Sequence, residues 1–534
     1  VGSSFVTDGR RGLAKAATLI AAGNIASRLL GLARDTVIAG LFGATGAVSA
    51  YRTAEFVPRQ FYDLLVGGMI SSALVPVFSE YVDRDRRVLW RAAGLVLSLA
   101  VVALGGAVAL AELAAPQIAW LLGGTALDLD LLARLLRLTI PAMLFLSLSG
   151  IVTGLLYALR RFVYPAFTAA VFNAAIVAVT LTGAWLFKGG VEVVALGLVA
   201  GSVAQIVLQL PGLRGAGLRF QLDVRHPVLR RIGRLYRPVI LGLVVTLLQT
   251  SLDRRLANTT GESSLAWMQN ATTLIQFPIG LVSAAISLAI LPTLSRYAAR
   301  AVGTGRNSDA NRRFADTLFS GLKVVLILII PAAVAQFILA EPVIRLLFEH
   351  GRFSAFDTAQ TALALRFYLL GLIFAAVDQP LIFAFYARQN TFTPAMVGVA
   401  AVGVYLIAAL GPLRFRPLHM TDLVLADSIK HMSHVAMMLW LIRRWGPLCG
   451  RGLEGTALKA AAAAAAMGLA LWGGRLWLAA LLPPAGLLNE ALLVGALAVA
   501  GGGVYAAGIW ALKVEEVGLL TGAVKNRLNR AGKP

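Results

Sequence analysis

The 534 residues are 58% hydrophobic and only 14% charged, with a mean hydropathy of +0.78. A soluble domain averages about 25% charged residues, so the chain reads as an all-α polytopic membrane protein. One cysteine, Cys449, excludes a disulfide framework and a cysteine-rich metal site, and the formal charge of +22 leaves nucleic-acid binding and positively charged cytoplasmic loops to be separated by where the basic residues fall.

A hydrocarbon core about 30 Å thick takes roughly 20 apolar residues per helix. That ruler predicts fourteen spans: near 15–41, 51–77, 89–111, 133–157, 166–187 and 194–210; near 238–257, 266–291, 318–340, 360–385, 394–411 and 421–442; then 458–481 and 488–511. The amino terminus has basic residues ahead of an apolar run, as a signal peptide does. The run continues through Arg28 without a small-residue cleavage site, so it is read as retained.

Span one contains Arg28, Arg34 and Asp35. Each charge costs roughly 2.5–3.5 kcal/mol at a helix centre, which predicts that they line a wet or protein-lined interior. In span two, Arg52, Glu55, Arg59 and Asp63 recur at spacings of 3, 4 and 4, on one helix face. A salt-bridged stripe that makes burial tolerable and a charged cavity wall both fit that pattern. Span seven carries Asp253, Arg254 and Arg255 near its carboxy-terminal end, where the arginines are expected to snorkel to the interface. Asp378 lies in span ten. Span twelve gathers Asp427, Lys430, His431 and His434 on one stripe. Two histidines with no converging cysteine or acid motif are too few for a metal, whereas internal Asp–Lys pairing beside titrating histidines suits proton or ion coupling.

The basic residues mark topology. Arg214, Arg219, Arg225, Arg230, Arg231, Arg234 and Arg237 follow span six with one acid, Asp223. Arg296, Arg300, Arg306, Arg312 and Arg313 follow span eight, and Arg443, Arg444, Arg451 and Lys459 follow span twelve. The tail carries Lys513, Lys525, Arg527, Arg530 and Lys533. All fall on one side if both termini are cytoplasmic, with Arg414 and Arg416 as the exception. No nucleic-acid partner is expected.

The chain also repeats. Tyr157-Ala158 with Pro165-Ala166 recurs as Tyr386-Ala387 with Pro394-Ala395, and Pro76, Ser79 and Tyr81 recur as Pro292, Ser295 and Tyr297. Two pseudo-symmetric six-helix lobes follow, residues 1–213 and 237–445, joined by a basic linker at 214–236 and followed by two extra helices and a tail at 446–534.

Ser27-Arg28, Gly31, Arg34-Asp35, Phe42-Gly43-Ala44, Pro58 and Pro76 resemble the opening of the MurJ/MviN family, lipid II flippases of the multidrug/oligosaccharidyl-lipid/polysaccharide exporter superfamily. Trp267-Met268, Phe277-Pro278, Leu346 to Phe353, Ala355-Phe356-Asp357, Phe385 to Gln389 and Thr393-Pro394 continue the resemblance in order. It implies two six-helix bundles around a cationic cavity, with two carboxy-terminal helices forming a lipid-facing groove. It further implies a monomeric, non-enzymatic, multi-pass protein of the bacterial inner membrane that moves lipid II by alternating access. Expected partners are the lipid-linked glycan, the bilayer and cell-wall synthesis proteins.

The chain departs from the family pattern in span two, where Ser49, Arg59, Tyr62-Asp63 and Gly67-Gly68 stand in place of the usual acid, Asn after the proline, arginine pair and Glu-Gly, and in span eight, where Thr272-Thr273 and Gln276 replace the usual Asp-Arg and Glu. Arg28, Arg34 and Asp35 are retained, so the substrate site is expected to be completed by Arg52, Glu55, Arg59 and Asp63. Asp253 resembles the acid of a sodium site, although span eleven has no Asn or Asp between Met396 and Leu410. No cofactor is expected. With no Walker-type loop, drive falls to a monovalent cation, protons or membrane potential, and Asp253, Asp378, Asp427, Lys430, His431 and His434 are the coupling candidates. An exporter of another lipid-linked glycan or amphiphile, and a non-transporting scaffold of cell-wall synthesis, remain the alternative functions.

Overall fold

The computed structural model describes residues 2–64, 69–84, 86–223, 225–301, 308–445, 452–481, 486–514 and 516. Gly67, Gly68, Arg306, Cys449, Arg451, Lys525, Arg527, Arg530 and Lys533, invoked above, lie outside them. Every regular element among the described residues is helical. The chain packs as two compact units, Val1–Ala266 with His350–Ser354, and Trp267–Glu349 with Ala355–Pro534.

The first unit holds α1 (Gly2–Phe42), α2 (Gly46–Tyr62), α3 (Val75–Arg84), α4 (Arg86–Leu113), α5 (Ala115–Gly123), α6 (Leu129–Thr139), α7 (Ala142–Ala158), α8 (Val163–Phe187), α9 (Glu192–Gln209) and α10 (Pro227–Thr260). Local chemistry sets several boundaries. Gly43, at φ +70°, ends α1 in a conformation that favours glycine, and Thr45 caps α2 by accepting from the Val48 amide. Asp128 caps α6 through the amides of Asp130 and Leu131. His226 Nδ1 accepts from the Val228 amide, and Pro227 occupies the first position of α10.

A helix starting there makes the expected linker at 214–236 partly helical, with Arg230, Arg231 and Arg234 in the first turns of α10. Packing also groups α10 with the first unit, whereas the sequence repeat places it at the head of the second. Its amino-terminal Val228 and Ile232 join the apolar core of Leu74, Phe78, Leu89 and Leu155, and Arg231 bridges to Glu80. Its carboxy-terminal Asn258 donates to Thr53 Oγ1 and to the Leu122 carbonyl, both at 2.9 Å.

The second unit holds α11 (Ser264–Pro278), α12 (Ala284–Arg300), α13 (Asp309–Ile338), α14 (Ala340–Phe348), α15 (Ala355–Ala387), α16 (Phe392–Leu410), α17 (Met420–Ile442), α18 (Leu453–Leu481) and α19 (Leu487–Ala511). The carboxy-terminal pair is anchored by polar bonds. Tyr505 donates to the Ile327 carbonyl at 2.6 Å, Arg475 bridges Glu341 at 2.7 Å, Arg345 bridges Glu490 at 3.0 Å, and Lys323 bridges Glu516 at 2.8 Å. Leu469, Trp472, Trp477, Val499 and Trp510 remain exposed on these two helices, an apolar surface suited to lipid.

Ten helices among the described residues are long and apolar enough to cross a membrane by length and composition. They correspond to expected spans three to six, eight to eleven, thirteen and fourteen. The other four expected spans fall on α1, α2 with α3, α10 and α17, all helical where described. These are the helices that carry Arg34, Arg52, Asp253 and Asp427, so the charge that marks them as functional is also what lowers their hydropathy.

The internal repeat is visible in backbone detail. Arg160 and Gln389, 229 positions apart, both adopt left-handed φ, 58° and 57°. Arg160 N donates to the Tyr157 carbonyl and Arg161 N to that of Leu156, just as Gln389 N donates to Tyr386 and Asn390 N to Phe385. Each copy also has a π-helical turn in the second half of its second span, at Ile70–Leu74 and at Ile279–Ser283.

The segment at His350–Ser354 docks on the end of α1. The Arg352 amide donates to the Gly40 carbonyl at 2.9 Å, and a Cβ on Gly351 would stand 2.2 Å from that carbonyl oxygen, at φ +58°. Left-handed backbone alone costs a non-glycine residue roughly 1–2 kcal/mol. Gly351→Ala is therefore expected to lower both the yield of monodisperse protein and its melting temperature in detergent. A wild-type melting curve for this variant would show that the docking does not constrain the fold.

Candidate functional site

Within the first unit, α1 and α2 bring charge together inside the protein. Asp35 receives Arg34 Nη2 at 3.0 Å and Arg52 Nη2 at 2.7 Å. Glu55 receives Arg34 Nη1 at 3.4 Å, Arg52 Nη1 at 3.3 Å and Arg59 Nη1 at 3.5 Å. Arg34, Asp35, Arg52 and Glu55 are 6%, 2%, 3% and 4% exposed, so this is an interior network rather than a solvated face. Its four members balance, two cations against two anions.

The surrounding helices hold the network in place. Asn173 on α8 accepts from Arg34 Nη1 at 3.3 Å and donates to the Ser27 carbonyl at 3.2 Å. From α10, Arg254 donates to the Arg52 carbonyl at 3.1 Å and lies 4.3 Å from the centre of the Phe56 ring. Ser49, which stands where the family usually has an acid, accepts from the Ala266 amide. Tyr51 Oη and Arg52 Nε are buried without a partner among the described residues, and each such group costs roughly 1–3 kcal/mol.

Arg59 differs from the buried four. It touches Glu55, yet its side chain is 49% exposed. Arg59 and Arg254 add two guanidinium groups at the edge of the balanced quartet, each with a neighbouring acid, Asp63 and Asp253. Arg28 and Asp63, expected in the same site, are both exposed. Of the two sequence readings of α2, the salt-bridged stripe describes Arg52 and Glu55, while the exposed wall describes Arg59.

Two expectations for α10 change. Arg254 turns inward to the Arg52 carbonyl midway along α2, and Arg255 donates to the carbonyls of Trp120 and Leu121 at 2.9 and 2.7 Å. These carbonyls lie in the last turns of α5, whose C-terminal end favours a cation. Neither Arg254 nor Asn173 was singled out by spacing. An asparagine within an otherwise apolar span was the available signal for Asn173.

In the second unit, the expected stripe on α17 separates into two pairings. Asp427 takes Lys430 at 2.5 Å and faces His431 at 3.8 Å within the helix, whereas His434 Nδ1 meets Asp378 Oδ1 on α15 at 2.6 Å. Lys430 also lies 5.9 Å from the Tyr405 ring centre on α16. Among the described residues, no three His, Cys, Asp or Glu side chains converge as metal ligands.

The sequence matches the family model described as "Lipid II flippase MurJ" over residues 38–490. The chain belongs to the MurJ family. Among relatives, the "Probable lipid II flippase MurJ" of Vibrio cholerae is 30% identical over 408 residues, covering 73% of this chain and 75% of that one. The "Lipid II flippase MurJ" of Burkholderia cenocepacia is 29% identical over 73% of this chain and 76% of its own. A solved "Lipid II flippase MurJ, inward closed conformation" superposes with a TM-score of 0.76 at 23% identity, over 92% of this chain and 98% of that one. An inward-facing multidrug resistance MATE family transporter of the MOP superfamily gives 0.62 at 13% identity, over 80% and 94%. These structures establish the MurJ and MATE fold for this chain. As a member of the MurJ family it is a multi-pass membrane protein.

Proposed function

We propose that this chain is a flippase that moves lipid II, an undecaprenyl-diphosphate-linked peptidoglycan precursor, across the bacterial inner membrane by alternating access, without catalysing a chemical reaction. The observation that carries this reading is Arg59, a half-exposed guanidinium at the edge of the buried Asp35 and Glu55 network. A guanidinium presents paired donors that match diphosphate oxygens, and a half-exposed one can exchange a carboxylate for a phosphate at little cost. The polyprenyl tail would stay in lipid, along the apolar face of α18 and α19. Both termini are assigned to the cytoplasm by the basic connections.

The test is rescue of a bacterium depleted of its own MurJ. Growth and lipid II exposure on the outer face are the expected results. Correct insertion of the chain with no rescue would remove lipid II as its substrate in that host. A second reading, export of another lipid-linked glycan, is favoured by Thr272 and Thr273, whose hydroxyls bond back to the Gln269 carbonyl where the family usually has charge.

Coupling is assigned to Asp378 and His434, because a carboxylate and an imidazole 2.6 Å apart between two helices can share or release one proton. The Asp427, Lys430 and His431 group lies on the same helix as His434. Asp253, the sodium candidate, is followed directly by Arg254 and Arg255, which disfavours a cation there. Asp378→Asn is expected to flatten the dependence of the initial translocation rate on an imposed proton gradient in proteoliposomes. An unchanged profile would move coupling elsewhere, with membrane potential the remaining driver.

A further inference from the structure

The second unit contains a cavity of about 830 Å³ where the ends of α12, α15 and α17 meet, lined by Ser295, Ala299, Tyr386, Arg388, Gln389 and Trp445 among others. This is within the range of small-molecule sites, roughly 300–1,000 Å³. Among the described residues, its one charged lining residue is Arg388. The Arg388 guanidinium packs against the Phe314 and Trp445 rings, which meet edge to face, at 4.5 and 4.3 Å from their centres, and Nη2 donates to Asn311 Oδ1 at 2.6 Å. Nε is buried with no partner among the described residues. Burial draws this guanidinium below the ordinary arginine value, and no carboxylate offsets it. A cation held rigidly in a half-buried site without an acid lacks the counter-charge that such groups ordinarily have.

The repeat supplies a control. The position equivalent to Arg388 in the first unit is Leu159, and the loop there is closed by Arg161 donating to the Gly212 carbonyl. In the first copy the turn's arginine is thus satisfied by a backbone carbonyl, whereas in the second Arg388 lines a cavity. Neighbouring positions add Arg296 and Arg300 beside the α12 lining and Arg443 and Arg444 beside Trp445.

We infer that this cavity is a binding site for a phosphate-bearing anion, held by Arg388, with its apolar part against Tyr386, Trp445 and the alanines of α12. The two rings and Asn311 hold the guanidinium in place, and a planar fork of donors suits phosphate oxygens. The ligand chemistry is common to an anionic phospholipid headgroup and a soluble phosphate compound. The site is separate from the charge network of α1 and α2, so it stands whether or not lipid II is the transported substrate.

The full chain, purified in detergent, is titrated calorimetrically with dihexanoyl phosphatidylglycerol and, separately, with inorganic phosphate. Binding of at least one probe is expected, weakened roughly tenfold or more in Arg388→Gln, as for loss of a charge-assisted contact. Ala299→Trp, which fills the cavity without touching the arginine, should weaken it likewise and keeps the test valid if Arg388→Gln does not fold. Phosphate competing with the lipid identifies the shared anion site, and lipid binding alone identifies a headgroup site. Translocation by both variants should stay at the wild-type rate. Absence of binding by both probes, or equal binding by wild type and a folded variant, would overturn the inference.

Discussion

Arg52→Ala is expected to lower stability by about 3–5 kcal/mol, because it removes one partner of a buried network and leaves Asp35 and Glu55 short of positive charge. Arg52 meets both carboxylates, at 2.7 and 3.3 Å, from a position only 3% exposed. Its backbone carbonyl would still accept from Arg254, so the loss isolates the side chain. The measurement is the melting temperature of purified protein, read beside lipid II translocation. The informative companion is the quadruple variant Arg34→Met, Asp35→Leu, Arg52→Met and Glu55→Leu. Replacing all four balanced charges with apolar groups is expected to recover most of the stability, since buried ion pairs contribute little net over well-packed apolar residues. If stability returns and translocation does not, the quartet positions the transport site as well as filling the interior. If both return, the quartet is structural and the site lies wholly outside it.

Arg59→Ala should give the opposite profile. Its side chain is half exposed and its contact with Glu55 is a single 3.5 Å pair, so stability is expected to change by no more than ~1 kcal/mol. Translocation is expected to fall roughly tenfold or more, the effect of removing one charge-assisted phosphate contact. Arg59→Lys should recover part of the rate by keeping the charge without the paired donors. The measurements are translocation and melting temperature on the same preparations. Wild-type translocation by Arg59→Ala would remove this residue from the substrate site and leave Arg254 as the remaining cation at the edge of the quartet.

Much of the fold was legible because apolar length is a local property. Spans with few charges were placed from composition alone, and the repeat was readable because Tyr157 and Tyr386 mark the same left-handed turn. The site was legible in part. Arg34, Asp35, Arg52 and Glu55 announced themselves as charges in apolar helices, and spacing placed Arg52, Glu55 and Arg59 on one face. Which of them would be satisfied internally was not readable, because that depends on the crossing of α1 with α2 and on Asn173 and Arg254 from helices distant in sequence. Helical spacing likewise set His434 with Asp427, whereas tertiary packing turned it to Asp378. Grouping α10 with the first unit had no sequence signal, since the contacts of Asn258 and Ile232 are long-range.

The π-helical turn at Ile70–Leu74 lies between two parts of the second span with different jobs. Ahead of it, α2 carries Arg52, Glu55 and Arg59 and is interrupted by Pro58; beyond it, Val77 and Phe78 are sunk in the apolar core with Leu89 and Leu155. A π-turn and a proline both loosen the regular ladder of a helix, so bending concentrates there. One arm of the second span is thereby bolted to the apolar interior of its unit and the other is tied to α1 by ion pairs, so that any bend at the π-turn would shift the charge network against the core rather than distort either.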